Sequence, residues 1–451
     1  MSGWRCLVSG WVVVWSLTRV PAVVAQEAWM LREPFPVGHR YHVSVRVELS
    51  GTVTVPSTEE KAPAKTLTVS GSSTIEYDER VLALTEDGTV RKTARIYRQI
   101  DFRRQIGSEQ QRSTIRPEVR RLVVLRHQHV EVPFSPDGPL TWGEIDLVRT
   151  DVFTPALVGL FADRPVRPGD RWNAATPVVH ELTDIDRIDD GQLSCRFDEI
   201  SLVGSRRLAR VCFTGSIRGT NEDGPNRQDL DGYCYFDLEA RHLSYLFIRG
   251  FHYLLDKDGK ETGRVEGRFV LTRQIAARGP GLDDADLQGM AQEPTSDNTL
   301  LLYDNPALGV RFLHPRRWRV GVVRGRQITV EEAHGSSLLI TLDRPDKVPT
   351  AAQFLADSRE WFAQQKPAGS WKAGAPTGPH RLSGPPRELD HFSFEVESPQ
   401  GRALMDYYVV HQQPGGALIA ARLAPADATA LQADVAQMAR SLTINRPLAD
   451  K

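Results

Sequence analysis

The chain is poor in cysteine. Of its 451 residues only four are cysteines, and one of these, Cys6, lies in the N-terminal apolar stretch. Such a composition excludes a disulfide-built scaffold, and a chain of this length can bury a core without such cross-links. We expect Cys6 to be removed with that stretch, which leaves Cys195, Cys212 and Cys234, so at least one thiol of the exported chain is unpaired.

An excess of charge of either sign is also missing. The chain has 56 Lys and Arg residues against 57 Asp and Glu residues, a formal net charge of −1. No cluster of basic residues accompanies this balance. We therefore expect neither nucleic acid nor an anionic membrane surface as a partner.

The sequence has none of the common motifs of catalysis. We find no Gly-x-Ser-x-Gly, no His-Glu-x-x-His, no Ser-x-x-Lys and no phosphate-binding glycine loop. We therefore expect a protein that is not an enzyme and has no cofactor. A catalytic group assembled from distant parts of the chain stays open as the alternative.

Long apolar runs are absent after the first 25 residues. Within those first 25 residues, Arg5 precedes the apolar stretch Cys6–Leu17, and the segment ends in Val23-Val24-Ala25. This order is typical of a secretory signal peptide, with cleavage after Ala25. No later segment approaches the ~20 apolar residues of a membrane-spanning helix. We expect export to the periplasm or the extracellular space without stable membrane insertion, and retention of the segment as an anchor is the alternative.

Residues 26–277 have the pattern of antiparallel strands. Apolar and polar residues alternate from Tyr41 to Leu49, the two-residue period of a half-buried strand. Asp87-Gly88, Gly204-Ser205 and Asp258-Gly259 each separate two such segments, as in hairpins. We predict a mostly β domain built on a large curved sheet, a half-barrel or a sandwich. Ile145–Phe161 is the best helical candidate, although Pro155 interrupts it.

The remaining chain divides into a linker and a smaller domain. Residues 278–298 are rich in Gly, Pro and acidic residues and have a linker composition. Residues 299–446 alternate short strands with two amphipathic helices, Ala351–Gln365 and Asp427–Leu442, which predicts an α+β sandwich.

Short motifs in residues 299–446 resemble the PsbP/Mog1/DcrB-like α/β sandwich group. They are Tyr303-Asp304-Asn305, Gly309-Val310-Arg311-Phe312, then Pro315 and Trp318, and finally Ser441-Leu442 near the end of the last helix. The resemblance implies that fold for the second domain. Members of the group serve as assembly factors and adaptors, so the resemblance does not define a function.

Residues 31–274 resemble a family of exported bacterial β-rich proteins with no established activity. The motifs are Pro165–Trp172, Gly232–Leu238 and the closing Gly267–Gln274. The resemblance implies a β-rich fold and no catalytic residue.

Two groups of residues are candidates for metal binding. His127 and His129 would share one face of a single strand over 122–132, with Glu131 on the same face. Asp184, Asp186, Asp189 and Asp190 precede Gly191, and oxygen-rich loops of this kind suit calcium. Surface histidines and a solvated acidic turn are the simpler interpretations, so no metal site is assigned.

The cysteines suggest a disulfide. A hairpin turn centred on Asp223 would place Cys212 directly opposite Cys234, close enough for a bond. Cys195 would compete for Cys212 if the register slipped, and free buried thiols are the alternative.

Two hypotheses of function follow. The first is a non-catalytic, exported cell-envelope protein that binds or scaffolds a protein, lipid or glycan, with an apolar ligand on the concave face of the sheet as one form. The second is an envelope hydrolase or metal-dependent enzyme with a spatially assembled site. An apolar groove or flat patch favours the first hypothesis, whereas a polar cleft with two convergent titratable groups favours the second.

Overall fold

The computed structural model describes residues 27–55, 64–127, 130–276, 281–364, 371–384, 387–399 and 401–447. A large antiparallel sheet dominates the first part, and a smaller α+β arrangement follows it. Within these ranges no helix is both long and apolar enough to cross a membrane. The described fold is therefore mostly β with a smaller α+β part, as the sequence predicts.

Twelve strands form the first sheet. They are β1 (Arg40–Val55), β2 (Lys65–Leu84), β3 (Val90–Ile106), β4 (Glu109–Thr114), β5 (Arg121–His127), β6 (Val130–Phe134), β7 (Arg171–Asn173), β8 (Arg187–Val203), β9 (Arg206–Asn221), β10 (Gly224–Asp237), β11 (His242–Leu255) and β12 (Glu261–Ile275). Their order is β6-β5-β3-β2-β1-β12-β11-β10-β9-β8-β7, with β4 paired to β3. The sheet is open, and β6 and β7 are its two edge strands in this order. The three hairpins predicted from sequence are confirmed as β2–β3, β8–β9 and β11–β12.

One face of this sheet, the inner face, is covered by the chain itself. Between β6 and β8 lie helix α1 (Trp142–Arg149), a 3-10 turn (Thr154–Leu160) and helix α2 (Thr176–Thr183). Their apolar residues share one buried core with the inner face of the strands, and Phe161 packs edge-on against Phe236 with ring centroids 5.0 Å apart. The region that we considered for an apolar ligand is thus largely filled by these elements.

The helical segment is shorter than the sequence predicts. A single helix over Ile145–Phe161 is wrong, because α1 ends at Arg149 and the backbone restarts as the 3-10 turn at Thr154. Thr141 begins α1 in a capping box with Glu144. Pro155 suits the start of a new turn but not the interior of a helix, which accounts for the division.

The predicted Cys212–Cys234 disulfide is wrong by one residue of register. The β9–β10 hairpin closes with a two-residue turn, Glu222–Asp223, so Asn221 pairs with Gly224 and Cys212 pairs with Tyr233. Cys234 lies opposite Val211, on the inner face, whereas Cys212 points to the other face. Cys195, Cys212 and Cys234 are free thiols.

The second part contains two sheets and two long helices. Its elements are β13 (Leu301–Asn305), β14 (Val310–His314), β15 (Trp318–Arg324), β16 (Gln327–Glu332), β17 (Ser337–Asp343), α4 (Ala351–Ala363), β18 (Lys372–Ala373), β19 (Thr377–Leu382), β20 (Leu389–Ser398), β21 (Gly401–Val410), β22 (Gly416–Leu423), α5 (Ala428–Ser441) and β23 (Thr443–Ile444). The sheet orders are β13-β14-β23 and β15-β16-β17-β22-β21-β20-β18, with β19 paired to β20. Trp318 is fully buried in this core and donates its indole N–H to Asp434 at 2.7 Å.

The segment before β13 lies against the first sheet. It contains a short helix, α3 (Asp284–Leu287), whose Leu287 packs with Leu282 and Ala94. Arg80 pairs with Asp284, and the Leu302 N–H donates to the carbonyl of Leu140 at 2.8 Å. The boundaries of the domains at residues 277 and 299 stay a prediction.

Candidate functional site: a carboxylate-rich pocket

A small pocket opens where β6, the end of α1 and α2 meet. Its volume is about 90 Å³. Acidic side chains predominate among the residues that line it, which are Val130, Glu131, Arg149, Asp151, His180, Glu181, Asp184, Ile185 and Asp186. A cavity of this size accommodates one small polar group rather than a large apolar ligand.

Three separate elements bring these side chains together. Glu131 lies on β6, where it pairs in register with Arg126 of β5. Asp151 follows Thr150, the residue that caps the C-terminal end of α1. Glu181 lies near the end of α2, and that helix closes at Asp184 with a left-handed φ of 51°. The pocket therefore depends on the helices that cover the inner face.

Arg126 joins two of the carboxylates at the wall of the pocket. Its Nη1 lies 2.5 Å from an oxygen of Glu181 and 3.5 Å from an oxygen of Glu131. Its guanidinium lies over the ring of Phe153, 4.7 Å from the centroid. The other oxygen of Glu181 accepts the backbone N–H of Phe153. These contacts fix both carboxylates close to a single positive charge.

A second, deeper ion pair lies behind the first. Arg95 and Glu79 are completely buried, and the Arg95 Nε donates to Glu79 at 2.7 Å. Thr154 donates to the other oxygen of Glu79 at 3.3 Å, which ties this pair to the 3-10 turn. Removing one partner of such a buried ion pair strongly destabilises a fold, because the other charge is left uncompensated.

Among these buried carboxylates, Asp151 has the weakest contacts with positive charges and hydrogen-bond donors. Its side chain is fully buried, and the nearest cationic atom, Nη1 of Arg95, is 3.9 Å away. Neither carboxylate oxygen has a well-formed hydrogen bond to any described residue. Burial raises the pKa of Asp151 to about 7, although Arg95, the Tyr77 hydroxyl and the Val152 N–H oppose that shift.

The pKa values of the two neighbouring glutamates are also raised. Burial raises the pKa of Glu131 to about 7, against the opposing effect of Arg95. Burial also raises the pKa of Glu181, with Arg126 as the main opposing charge. Carboxylates outnumber arginines in this cluster, so the pocket either retains protons near neutral pH or accepts an external cation.

The histidines predicted as weak metal candidates do not form this site. His127 is the last residue of β5 and pairs with Val130, the first residue of β6, so residues 122–132 form two strands rather than one. His129 lies outside the described residues. Among the residues that the structure describes, no group of three or more His, Cys, Asp or Glu side chains is arranged to hold a metal ion.

Half of the acidic turn contributes to the pocket. Asp184 and Asp186 line it, whereas Asp189 and Asp190 belong to β8. Asp189 forms an exposed ion pair with Arg187 at 3.0 Å.

Comparison with known proteins finds only low sequence identity. No family model matches the chain, and no curated protein matches it. Among solved structures it is similar to PsbP (CyanoP) of Synechocystis sp. PCC 6803, with 13% identity, a TM-score of 0.27, and coverage of 32% of this chain and 92% of that one. It is similar to the Saccharomyces cerevisiae Ran-binding protein Mog1p, with 12% identity, a TM-score of 0.23, and coverage of 32% and 95%.

A further similarity is to lipovitellin, with 9% identity and a TM-score of 0.30. The match covers 54% of this chain and 26% of the lipovitellin chain, so this chain spans about a quarter of that protein. The resemblance to a family of exported β-rich proteins has no counterpart in these comparisons. At such identities and TM-scores no ligand or activity is carried over from these structures.

Proposed function

We propose that this chain is an exported, non-catalytic binding protein whose carboxylate-rich pocket holds a small cationic group of its ligand, an ammonium or a guanidinium. The observation that carries the proposal is Asp151, a fully buried carboxylate at the pocket wall. Its nearest cationic atom is 3.9 Å away, and neither oxygen has a well-formed hydrogen bond to a described residue, although the Tyr77 hydroxyl and the Val152 N–H lie near it. Buried polar groups are normally satisfied, so such a residue calls for an external donor.

The chemistry of the lining supports a cation. A bound ammonium has three N–H donors and would offset the negative charge shared by Asp151, Glu131 and Glu181. The volume of about 90 Å³ suits a single such group, with the rest of the ligand outside. Arg149 is the only Lys or Arg among the described residues that line the pocket, and its half-exposed side chain pairs with Glu222, outside the lining, at 3.3 Å.

The alternative, an envelope hydrolase, has one observation in its favour. Glu131 and Asp151, both with a pKa of about 7, are suited to general acid–base catalysis at neutral pH. No Ser, Thr, Cys or Lys is present among the described residues that line the pocket. Hydrolysis there would use water or a carboxylate as the nucleophile. We favour binding because Asp151 has no well-formed hydrogen bond that would orient it for catalysis.

Ligand-dependent thermal stabilisation of the full chain tests the binding proposal. At pH 8 we expect propylamine to raise the melting temperature, and 1-propanol, its neutral counterpart, to leave it unchanged. Asp151→Asn and Glu181→Gln should abolish the response. Asp189→Asn, which removes a nearby carboxylate outside the pocket, should retain it. Equal responses to amine and alcohol, or loss of the response in Asp189→Asn, would contradict the proposal.

Hydrolytic assays separate the two functions. Chromogenic ester, glycoside and peptide substrates should be turned over no faster by the native chain than by Asp151→Asn. A rate that depends on Asp151 would replace the binding proposal with the hydrolase.

A further inference from the structure

A pair of facing histidines lies in the second part of the molecule, far from the pocket in sequence. His380 of β19 and His391 of β20 occupy directly paired positions. The Nε2 of His380 is 3.3 Å from the Nδ1 of His391, and the rings are inclined by 76°. Two ring nitrogens therefore point at one another with room for a single proton between them.

A buried carboxylate fixes the orientation of the inner histidine. The Nε2 of His391 is 2.7 Å from an oxygen of Asp406, which is completely buried. The side-chain amide of Gln432 on α5 donates to the same oxygen at 3.1 Å. When His391 donates its Nε2–H to Asp406, its Nδ1 carries the lone pair and faces His380.

The backbone holds the outer histidine in place. His380 is exposed, and its Nδ1 lies against the chain at Gly378, where a Cβ atom would approach within 2.7 Å. Gly378 has a φ of 101°, a conformation that favours glycine. With its Nδ1 on the side of Gly378, His380 has its Nε2 facing His391, and the residue as a whole is exposed.

We propose that His380 and His391 form an open binding site for a divalent transition-metal ion of the copper, nickel and zinc class. Two nitrogens that bind one tetrahedral ion at ~2.0–2.1 Å are themselves about 3.3–3.4 Å apart, which matches the observed separation. A histidine whose second nitrogen is bonded to a carboxylate is the usual arrangement for a metal ligand. The ion replaces the shared proton and lies about 1.2 Å to one side of the line that joins the two nitrogens.

The site is exchangeable rather than permanent. No third His, Cys, Asp or Glu joins the two histidines among the described residues, so water or an external ligand completes the coordination. Access is from the side of His380, because only 9% of the His391 side chain is exposed. Nickel and copper bind imidazole more strongly than iron or manganese in the general order of divalent affinities.

Calorimetric titration of the chelator-treated full chain with Cu²⁺ and with Zn²⁺ tests the site, and the spin-resonance spectrum of bound Cu²⁺ reports nitrogen ligands. We expect a site whose affinity falls at least tenfold in His380→Ala. Asp406→Asn should lower it about 10- to 100-fold, as for other carboxylates behind ligating histidines. His334→Ala, which removes an exposed histidine paired with Glu332, should leave it unchanged.

His380→Ala removes an exposed side chain, so its melting temperature without metal should equal that of the native chain. The added ion should then stabilise the native chain and not this variant. Binding that is unaffected by His380→Ala, or is lost equally in His334→Ala, would overturn the proposal, as would the absence of any binding in the native chain.

Discussion

Arg126 and Glu181 form an ion pair at 2.5 Å between β5 and the end of α2, and both side chains are less than 10% exposed. The pair connects an edge of the first sheet to the helices that fill its inner face. It also holds Glu181 at the wall of the candidate pocket. In the proposed function, stability and ligand binding therefore depend on the same residues.

Removing only the arginine of this pair should strongly destabilise the fold. We expect Arg126→Met to lower the free energy of unfolding by about 3–5 kcal/mol, because it leaves Glu181 buried without its counter-ion. The double variant Arg126→Met, Glu181→Gln should recover part of that loss. Urea denaturation measures both, and a double variant no more stable than the single one would contradict the argument.

The stability of the unliganded chain should decline as the pH rises through about 7. Asp151 has a raised pKa in the folded state, so the fold retains a proton that the unfolded chain has already lost. Its contribution is fully present below the ordinary Asp pKa near 4 and is lost as the pH passes the folded value. Asp151→Asn should raise the melting temperature at pH 8 by a few degrees and change it little at pH 4. A similar change at both pH values would show that Asp151 does not retain a proton in the fold.

Amine binding should have the opposite dependence on pH. In the proposed function the pocket binds a cation through ionised carboxylates, so affinity should increase from pH 6 to pH 8 as Asp151 and Glu131 lose protons. Calorimetric titration with propylamine, whose own charge is constant over this range, provides the measurement. Affinity that stays constant between these values would place the ligand elsewhere.

The three thiols should differ in access and none should be oxidised. Cys212 is half-buried, whereas Cys195 and Cys234 are buried on the inner face. Burial raises the pKa of Cys195 to about 12, which slows its alkylation further. We expect iodoacetamide to modify Cys212 first in the folded chain and all three in denaturant without reductant. A Cys212–Cys234 disulfide in peptide mapping would disprove the observed register.

Two strand glycines form a matched pair for testing how closely neighbouring strands approach. A Cβ at Gly215 would lie 2.1 Å from the carbonyl oxygen of Gln192 in the neighbouring strand. A Cβ at Gly267 would meet only the carbonyl oxygen of Glu48, at 3.9 Å. Gly215→Ala should therefore destabilise the chain by about 1–3 kcal/mol, and Gly267→Ala should have little effect. If urea denaturation showed the same loss of unfolding free energy in both variants, steric overlap of the Cβ atom would not be its cause.

Local patterns predicted most of the fold. Hairpin turns such as Asp87-Gly88 and the helical face of residues 427–442 reappear with small shifts at their ends, because they depend on neighbours in the sequence. The filling of the inner face was not predictable in the same way. Residues 142–183 carry only short, broken helical patterns, and their packing onto the sheet is a long-range property.

The candidate pocket was predicted least well. Asp151 and Glu181 are distant in sequence from Glu131, and no spacing rule connects them. One local signal existed, since Glu79 interrupts the apolar alternation between Tyr77 and Val81 on the inner face of β2. A charge at an inner position indicates a buried partner, but the sequence does not say which residue supplies it.

The two-residue turn at Glu222–Asp223 has a chemical consequence as well as a geometric one. Because the turn has an even number of residues, Cys212 and Cys234 face opposite sides of the sheet. Cys195 shares the side of Cys234 but is two strands away, roughly 10 Å, beyond the reach of a disulfide. The folded geometry therefore excludes a disulfide between any two of the three described cysteines. A three-residue turn that took Gly224 from β10 would shift the register by one residue and place Cys234 opposite Cys212.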